Sequence, residues 1–249
     1  MTKIKLDSNS KIYINSSITV DVDNDSKIVK FNMIDDSGRA VIKGEINNWS
    51  FSLKGVSHNF IEKNTRPHGV DPQGCITFVD SKVKEISIYT RDTTCPNSIH
   101  FIRTNGSINK IKMRNARWDA FDADFSNLEI KNIEVRNTGH HCIGLKGGEY
   151  KIITANVKNC EDKGVSSSEF SRVTIEKINI MDSHVGLAAK DSGIIIAKEA
   201  NIKNTDLCLL SYRNKIEYQG SYISTSKNNY SCENENYFIQ NGSKWENFN

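Results

Sequence analysis

The most constraining feature of this 249-residue chain is that like side chains recur at a fixed step of about 22 residues. Asn115, Asn137, Asn159, Asp182 and Asn204 follow one another at intervals of 22, 22, 23 and 22. Each lies two positions after an apolar residue: Met113, Val135, Val157, Ile180 and Ile202. Ile111, Ile133, Ala155, Ile178 and Ala200 form a second column, and Ile108, Ile130 and Ile152 a third. A fourth holds Ile99, Phe121, Ile143, Val165, Leu187 and Leu209. A fixed period of this size identifies a solenoid, because one repeat cannot bury its apolar face without its neighbours. Within each repeat the apolar residues alternate with period 2, the spacing of strand and not of helix. Short strands in coils of this length stack in parallel register about 4.8 Å apart. The predicted fold is therefore all-β, a parallel β-helix with N- and C-terminal caps.

In such a cylinder an inward amide meets its counterpart one coil away, so the asparagines are predicted to form a buried ladder. The one longer interval, from Ile152 to Ile175, is expected to place its extra residue in a turn. A strand could not absorb that residue without turning its side chains to the other face.

The chain reads as one domain over residues 1–249. Irregular coils or a cap cover 1–60, regular coils 70–226 and a polar C-terminal cap 227–249, with Tyr237, Phe238 and Trp245 as candidate plugs. No apolar stretch approaches the roughly 18 residues that a membrane-spanning helix needs, so no membrane span is expected. Positions 1–30 lack the apolar core of a secretory signal, which implies an intracellular protein or a removed leader. The six cysteines show no CxxC spacing and are expected as buried free thiols. Cys142 and Cys208 share a column but lie three coils apart, too far for a disulfide. No metal is expected at His140-His141-Cys142, since neighbours on a strand point to opposite faces, and no cofactor is expected either.

Residues one repeat apart become neighbours, which makes candidate sites readable. Asp122 and Asp124 alternate with Phe121, Ala123 and Phe125, so both carboxylates should face outward, about 7 Å apart. Above Asp124 come Lys146, Ser168 and Lys190; above Asp122 come Gly144, Ser166 and Ala188, small residues that leave a shallow groove. At the turn entering this strand, Asp119, His141 and Lys163 form one column, and Trp118, His140, Asp162 and His184 another. The carboxylate pair suits general acid and base, or nucleophile, in glycoside cleavage. Lys146 or Lys190 would suit proton abstraction beside a uronate if neighbouring cations lowered its pKa. The competing reading is a solvated face with a weak Asp124–Lys146 cross-strand pair.

Another wall carries Arg114, Arg136, Lys158 and Lys203, interrupted by Met181, as outward residues just before the asparagines. Like charges about 5 Å apart repel, and an acidic polymer would relieve that. A net charge of only +3 argues against nucleic acid as the main partner.

The stretches WDAFDADFSNLEIKNIEVRN, NCEDKGVSSSEFSRVTIEKINI and HVGLAAKDSGIIIAK resemble right-handed parallel β-helix repeats of the pectin-lyase-like superfamily. More closely they resemble β-helix segments of bacterial surface and polysaccharide-locus proteins, some attached to CotH-type domains. The likeness covers about residues 70–225. It implies a role with a bacterial polysaccharide, as lyase, hydrolase or epimerase, or as a noncatalytic glycan-binding or structural scaffold. Its acidic and DKG/KD turn signatures map onto Asp119, Asp122, Asp124, Asp162, Lys163, Glu169, Lys190 and Asp191. His140-His141-Cys142-Ile143-Gly144 has no carboxylate where a second acidic coil would stand, which argues against a pectate-lyase-like calcium site. On this reading Asp122, Asp124, Lys190 and His141 are the candidate catalytic groups. Trp118, Asp119, His140, Lys146, Asp162, Lys163, Glu169, Asp191, Arg114, Arg136 and Lys158 would hold an anionic polysaccharide. The oligomeric state stays open, with a homotrimer among the alternatives.

Overall fold

The computed structural model describes residues 1–6, 8–56 and 73–248. The expected junction between irregular and regular coils, at 60–70, lies outside the described residues. Among the described residues there is no helix, and parallel strands about 22 residues apart stack into a solenoid of about nine turns. The period dictates the register. Ile108, Ile130, Ile152 and Ile175 pair in succession, as do Ile111, Ile133, Ala155, Ile178 and Ala200. All of these are buried, in one core cluster that runs from Leu6 to Ile223. Phe78 and Phe101 stack in it with ring centroids 4.6 Å apart.

In one coil the register is continuous over 128–130, 132–136 and 143–146, which we call the first, second and third walls. The extra residue of the longer coil falls where expected, after the third wall: Lys146 pairs with Ser168, but Glu149 pairs with Arg172. Glu169 and Phe170 there adopt consecutive positive φ.

The asparagine ladder exists but faces the other way. Asn115, Asn137, Asn159, Asp182 and Asn204 have φ of 55°, 59°, 56°, 55° and 51°, and none is buried. They form the left-handed corner after the second wall, and the expectation of a buried ladder is overturned. The physical reason is backbone conformation: Asn and Asp tolerate the left-handed region better than other residues with a side chain. The reversed backbone at that corner carries their side chains outward. Asn137 Nδ2 donates to Asn115 Oδ1 at 2.9 Å, and Asn159 Nδ2 to Asn137 Oδ1 at 2.8 Å. Asp182 accepts from Asn204 at 3.2 Å but has no amide to donate downward, and its carboxylate pairs with Lys158 instead.

The cysteines also correct the sequence reading: all six are paired, as Cys75–Cys95, Cys142–Cys160 and Cys208–Cys232. Cys75, Cys142 and Cys208 occupy one column at the start of the third wall, as the register of their neighbours shows. Each partner lies 18 to 24 residues onward, near the next corner, so each bridge ties one coil to the following one.

Antiparallel strands begin the molecule. Thr2–Lys5 pairs with Ser10–Ile14, which pairs with Ala40–Asn47, while Ile18–Asp23 pairs with Ile28–Met33. Ile28–Met33 then receives Ser50–Lys54 in parallel, and the stacking begins. At the other end Glu235–Ile239 and Lys244–Asn247 continue the parallel register. Of the three expected plugs only Trp245 packs against the core, with its ring 4.7 Å from that of Tyr237. Tyr237 and Phe238 stay exposed.

The corner conformation generates a first prediction. Asn137→Val puts a β-branched residue at φ 59° and should destabilise the protein by about 1–2 kcal/mol in urea unfolding. Asn137→Gly, which is free in that region, should cost less than half as much. Equal losses in the two variants would remove backbone conformation as the reason for the asparagine column.

Candidate functional site

The third wall brings four ionisable side chains together. By register His100, Asp122, Gly144 and Ser166 form one outward column, and Ile102, Asp124, Lys146 and Ser168 the next. Phe121 and Ala123 point inward and are fully buried. The alternation is as expected from Phe121 to Asp124, but Phe125, expected inward, is 61% exposed because the left-handed corner begins there, and the carboxylates are less exposed than expected: Asp122 1%, and the Asp124 side chain 21%. Asp122 therefore does not face an open solvent groove.

Its neighbours enclose it. Lys146 Nζ lies 2.9 Å from Asp122 Oδ2 and 3.2 Å from Asp124 Oδ1, bridging the two carboxylates. Asn97 Nδ2 donates to Asp122 Oδ2 at 3.2 Å, and His100 Nε2 lies 2.9 Å from Asp124 Oδ2. Gly144 makes this possible, because a Cβ there would lie 2.6 Å from Asp122 Oδ1. His100 and Asn97 were missed in the sequence, although each sits one repeat before a residue that was singled out, Asp122 and Asp119 respectively.

The environment drives the two carboxylates apart. Burial pushes the Asp122 pKa up to about 6 against the pull of Lys146. Burial would raise Asp124 as well, but the His100 hydrogen bond and the Lys146 charge outweigh it and hold Asp124 below the usual carboxylate range. Lys146 is held above its ordinary value because the two carboxylates overcome its burial.

A second cluster lies at the turn before this wall. His140 and His141 are not on a strand, so the alternation that would send them to opposite faces does not apply. Their rings stack 3.9 Å apart, 13° from parallel. His140 Nδ1 lies 2.5 Å from Asp119 Oδ1, which also accepts the His141 backbone N–H at 3.0 Å. Asp162 Oδ2 lies 3.3 Å from His140 Nε2 and 3.1 Å from His141 Nδ1. Lys163 Nζ contacts both oxygens of Asp162, at 2.7 and 2.8 Å. Burial pushes the His141 pKa down despite Asp162. Asp162 is held low because His141 and Lys163 outweigh its burial. Trp118 is half-buried at the same turn, and His184 pairs with Asp206 farther along.

The remaining residues on this side divide. Lys190 is half-buried and forms no ion pair among the described residues. Burial pushes its pKa down, with repulsion from Lys163 and Lys146 adding to the effect. Glu169 and Asp191 stand in the left-handed corner after the third wall and anchor a loop. Asp191 Oδ1 accepts the backbone N–H groups of Asn214 and Lys215, both at 2.7 Å, and Glu169 pairs with Lys215 Nζ at 2.7 Å.

The basic stripe of the second wall is longer than its regular portion suggested. Lys54, Arg91, Arg114, Arg136 and Lys158 stand in one column on five successive coils. Met181 follows, then Lys203. Lys54 lies 37 residues before Arg91, outside any regular repeat, whereas Arg91 lies 23 before Arg114, a step also found among the regular coils, and could have been found from it. Glu134 neutralises part of the column, 2.9 Å from Arg136 and 3.4 Å from Lys112. Lys30, Lys54 and Arg91 form no ion pair among the described residues. With Tyr89, Lys112 and Arg114 they line a groove of about 410 Å³.

The buried carboxylate generates a second prediction. The folded-state pKa of Asp122 is raised, so the unfolded chain ionises first as pH rises from about 4 to 6, and folding stability falls through that window. A gap of about two pKa units corresponds to about 3 kcal/mol. Relative to wild type, Asp122→Asn should gain stability between pH 4 and 7, approaching that figure. A difference flat with pH in urea unfolding would contradict it.

Comparison with protein-family models, curated proteins and solved structures found no match for this chain.

Proposed function

We propose that this protein is an acidic-polysaccharide-binding β-helix whose contact surface is the cation column of the second wall. The observation that carries this reading is the groove around Tyr89, where Lys30, Lys54 and Arg91 lie together with no ion pair among the described residues. Like charges held about 5 Å apart on neighbouring strands are a cost to the fold, which a bound polyanion converts into attraction. An extended polymer laid along the helix axis would meet one cation per coil from Lys54 to Lys158. A tyrosine in such a groove offers an apolar face to a sugar ring and a hydroxyl to its edge. Three disulfides suit an oxidising, extracellular setting, where acidic polysaccharides are met. The resemblance to β-helix segments of bacterial surface and polysaccharide-locus proteins points the same way.

The test is binding. Lys54→Gln, Arg91→Gln and Arg114→Gln combined should weaken binding to polygalacturonate or hyaluronate at least tenfold. Wild-type affinity should fall as salt screens the exposed charges. Neutral dextran should not bind. Unchanged affinity in the triple variant, salt-insensitive binding, or clear preference for a DNA duplex over every acidic glycan would overturn the proposal.

A second reading, turnover at the third wall, is favoured by Asp124, whose partly exposed carboxylate sits between His100 and Lys146. Asp124 would act as base or nucleophile, while Asp122, enclosed by Lys146, Asn97 and Gly144, would hold Lys146 in place beside it. On this reading Asp124→Asn should lower the release of reducing ends or unsaturated uronate by about 10²- to 10⁴-fold while leaving binding at the second wall intact. Full turnover in that variant, or no product from any acidic polysaccharide, leaves binding as the function.

A further inference from the structure

The turn preceding the third wall holds a side-chain set that glycan binding does not use. Asp119, His140 and His141 present ligand atoms that all lie within 4.8 Å of one another. Two neighbouring histidines reach the same place because the turn, unlike a strand, puts both rings on one side. His141 Nδ1 is buried and without a hydrogen-bond partner of good geometry, although Asp162 Oδ2 is only 3.1 Å away. A neutral imidazole carries a proton on one ring nitrogen and a lone pair on the other, so His141 can meet the Asp162 carboxylate with one nitrogen and offer the other to an ion.

We propose that Asp119, His140 and His141 form a binding site for a divalent transition ion of the zinc class. The chemistry of the set selects the ion. Imidazole nitrogens suit Zn²⁺, Co²⁺ and Ni²⁺, whereas Ca²⁺ and Mg²⁺ want more oxygens than one carboxylate supplies. Three protein ligands leave a fourth position for water or a ligand oxygen. Asp162 stands behind the histidines, 3.3 Å from His140 Nε2, and can orient that ring in the way outer carboxylates orient metal-bound imidazoles. Lys163 Nζ contacts both oxygens of Asp162, so Asp162 serves as this support, and Asp119 is the carboxylate whose oxygen lies with the two imidazoles. His184 with Asp206 repeats the single imidazole–carboxylate pair without a second histidine, and provides an internal control.

The experiment uses the full, oxidised, untagged chain, stripped with a chelator and titrated with Zn²⁺ and with Co²⁺. One equivalent should bind, with a rise in Tm and, for Co²⁺, visible absorption bands of a low-coordinate site. His140→Ala changes a partly exposed residue and should fold normally, yet weaken Zn²⁺ binding at least 100-fold. His141→Gln should do the same, and His184→Ala should bind as wild type does. Asp119 is deeply buried, so the histidine variants carry the test independently of any folding defect in Asp119→Asn. The site is refuted if Zn²⁺ produces no Tm shift, if His140→Ala binds with wild-type affinity, if His184→Ala loses binding equally, or if Ca²⁺ competes on equal terms. Because the cation column lies on another wall, polygalacturonate binding measured in the same variants separates failure of this site from failure of the proposed glycan surface.

Discussion

Everything in this molecule depends on the parallel register between successive coils. A strand spacing of about 4.8 Å, repeated about nine times, turns a distance of about 22 residues along the chain into direct contact. Each column must then satisfy itself: a residue unsuited to a neighbour of its own kind is penalised at every step. Isoleucines stack on isoleucines in the core, amides on amides at the corners. Cations stack on cations beside Glu134 and Asp182, and also at Lys54 and Arg91, which form no ion pair among the described residues.

The corners set the limits of that rule. A coil closes because the backbone reverses at fixed points, and at those points residues with side chains enter the left-handed region. After the second wall the repeated choice is Asn or Asp. After the third it is Phe125, Gly147, Glu169 and Asp191, with φ of 51°, 53°, 55° and 50°. The second set shares no chemistry, so the same backbone demand is met at greater steric cost. Asp191 recovers part of that cost by accepting two backbone N–H groups from the loop beyond it.

Column arithmetic made the core legible because burial needs only polarity and phase, both written into each strand. It failed for the asparagines because identical spacing is equally compatible with an inward ladder and an outward one. The sign depends on φ, which the period does not encode. It failed for the cysteines because partners were sought within a column. Cys142 and Cys160 belong to different columns, and only the three-dimensional path of the corner brings their Cα atoms to 5.6 Å. The carboxylates of the third wall were placed on the correct face. Their burial was missed because it arises from the reach of Lys146 and His100 and from the space over Gly144, quantities set by side-chain length and not by alternation.

The enclosed charges of the third wall call for a physical account of their own. A buried ion pair is a poor source of stability, since apolar residues of equal volume commonly do as well or better, while losing one partner leaves an uncompensated charge. Here Lys146 spans two carboxylates, His100 holds one of them and Asn97 the other. Desolvation nevertheless leaves Asp122 easily protonated. Gly144 surrenders side-chain packing to admit this arrangement, and Ser166 and Ala188 keep the same column shallow above it. A fold that needed only a column filler would place Val or Ile there, as it does one position inward at Ile143 and Val165. The polar network is therefore a departure from the repeat rule, confined to three coils and next to the histidine turn. Departures of that kind are where a repetitive scaffold can acquire chemistry, because core and corner positions that follow the repeat are committed to holding the neighbour above and below.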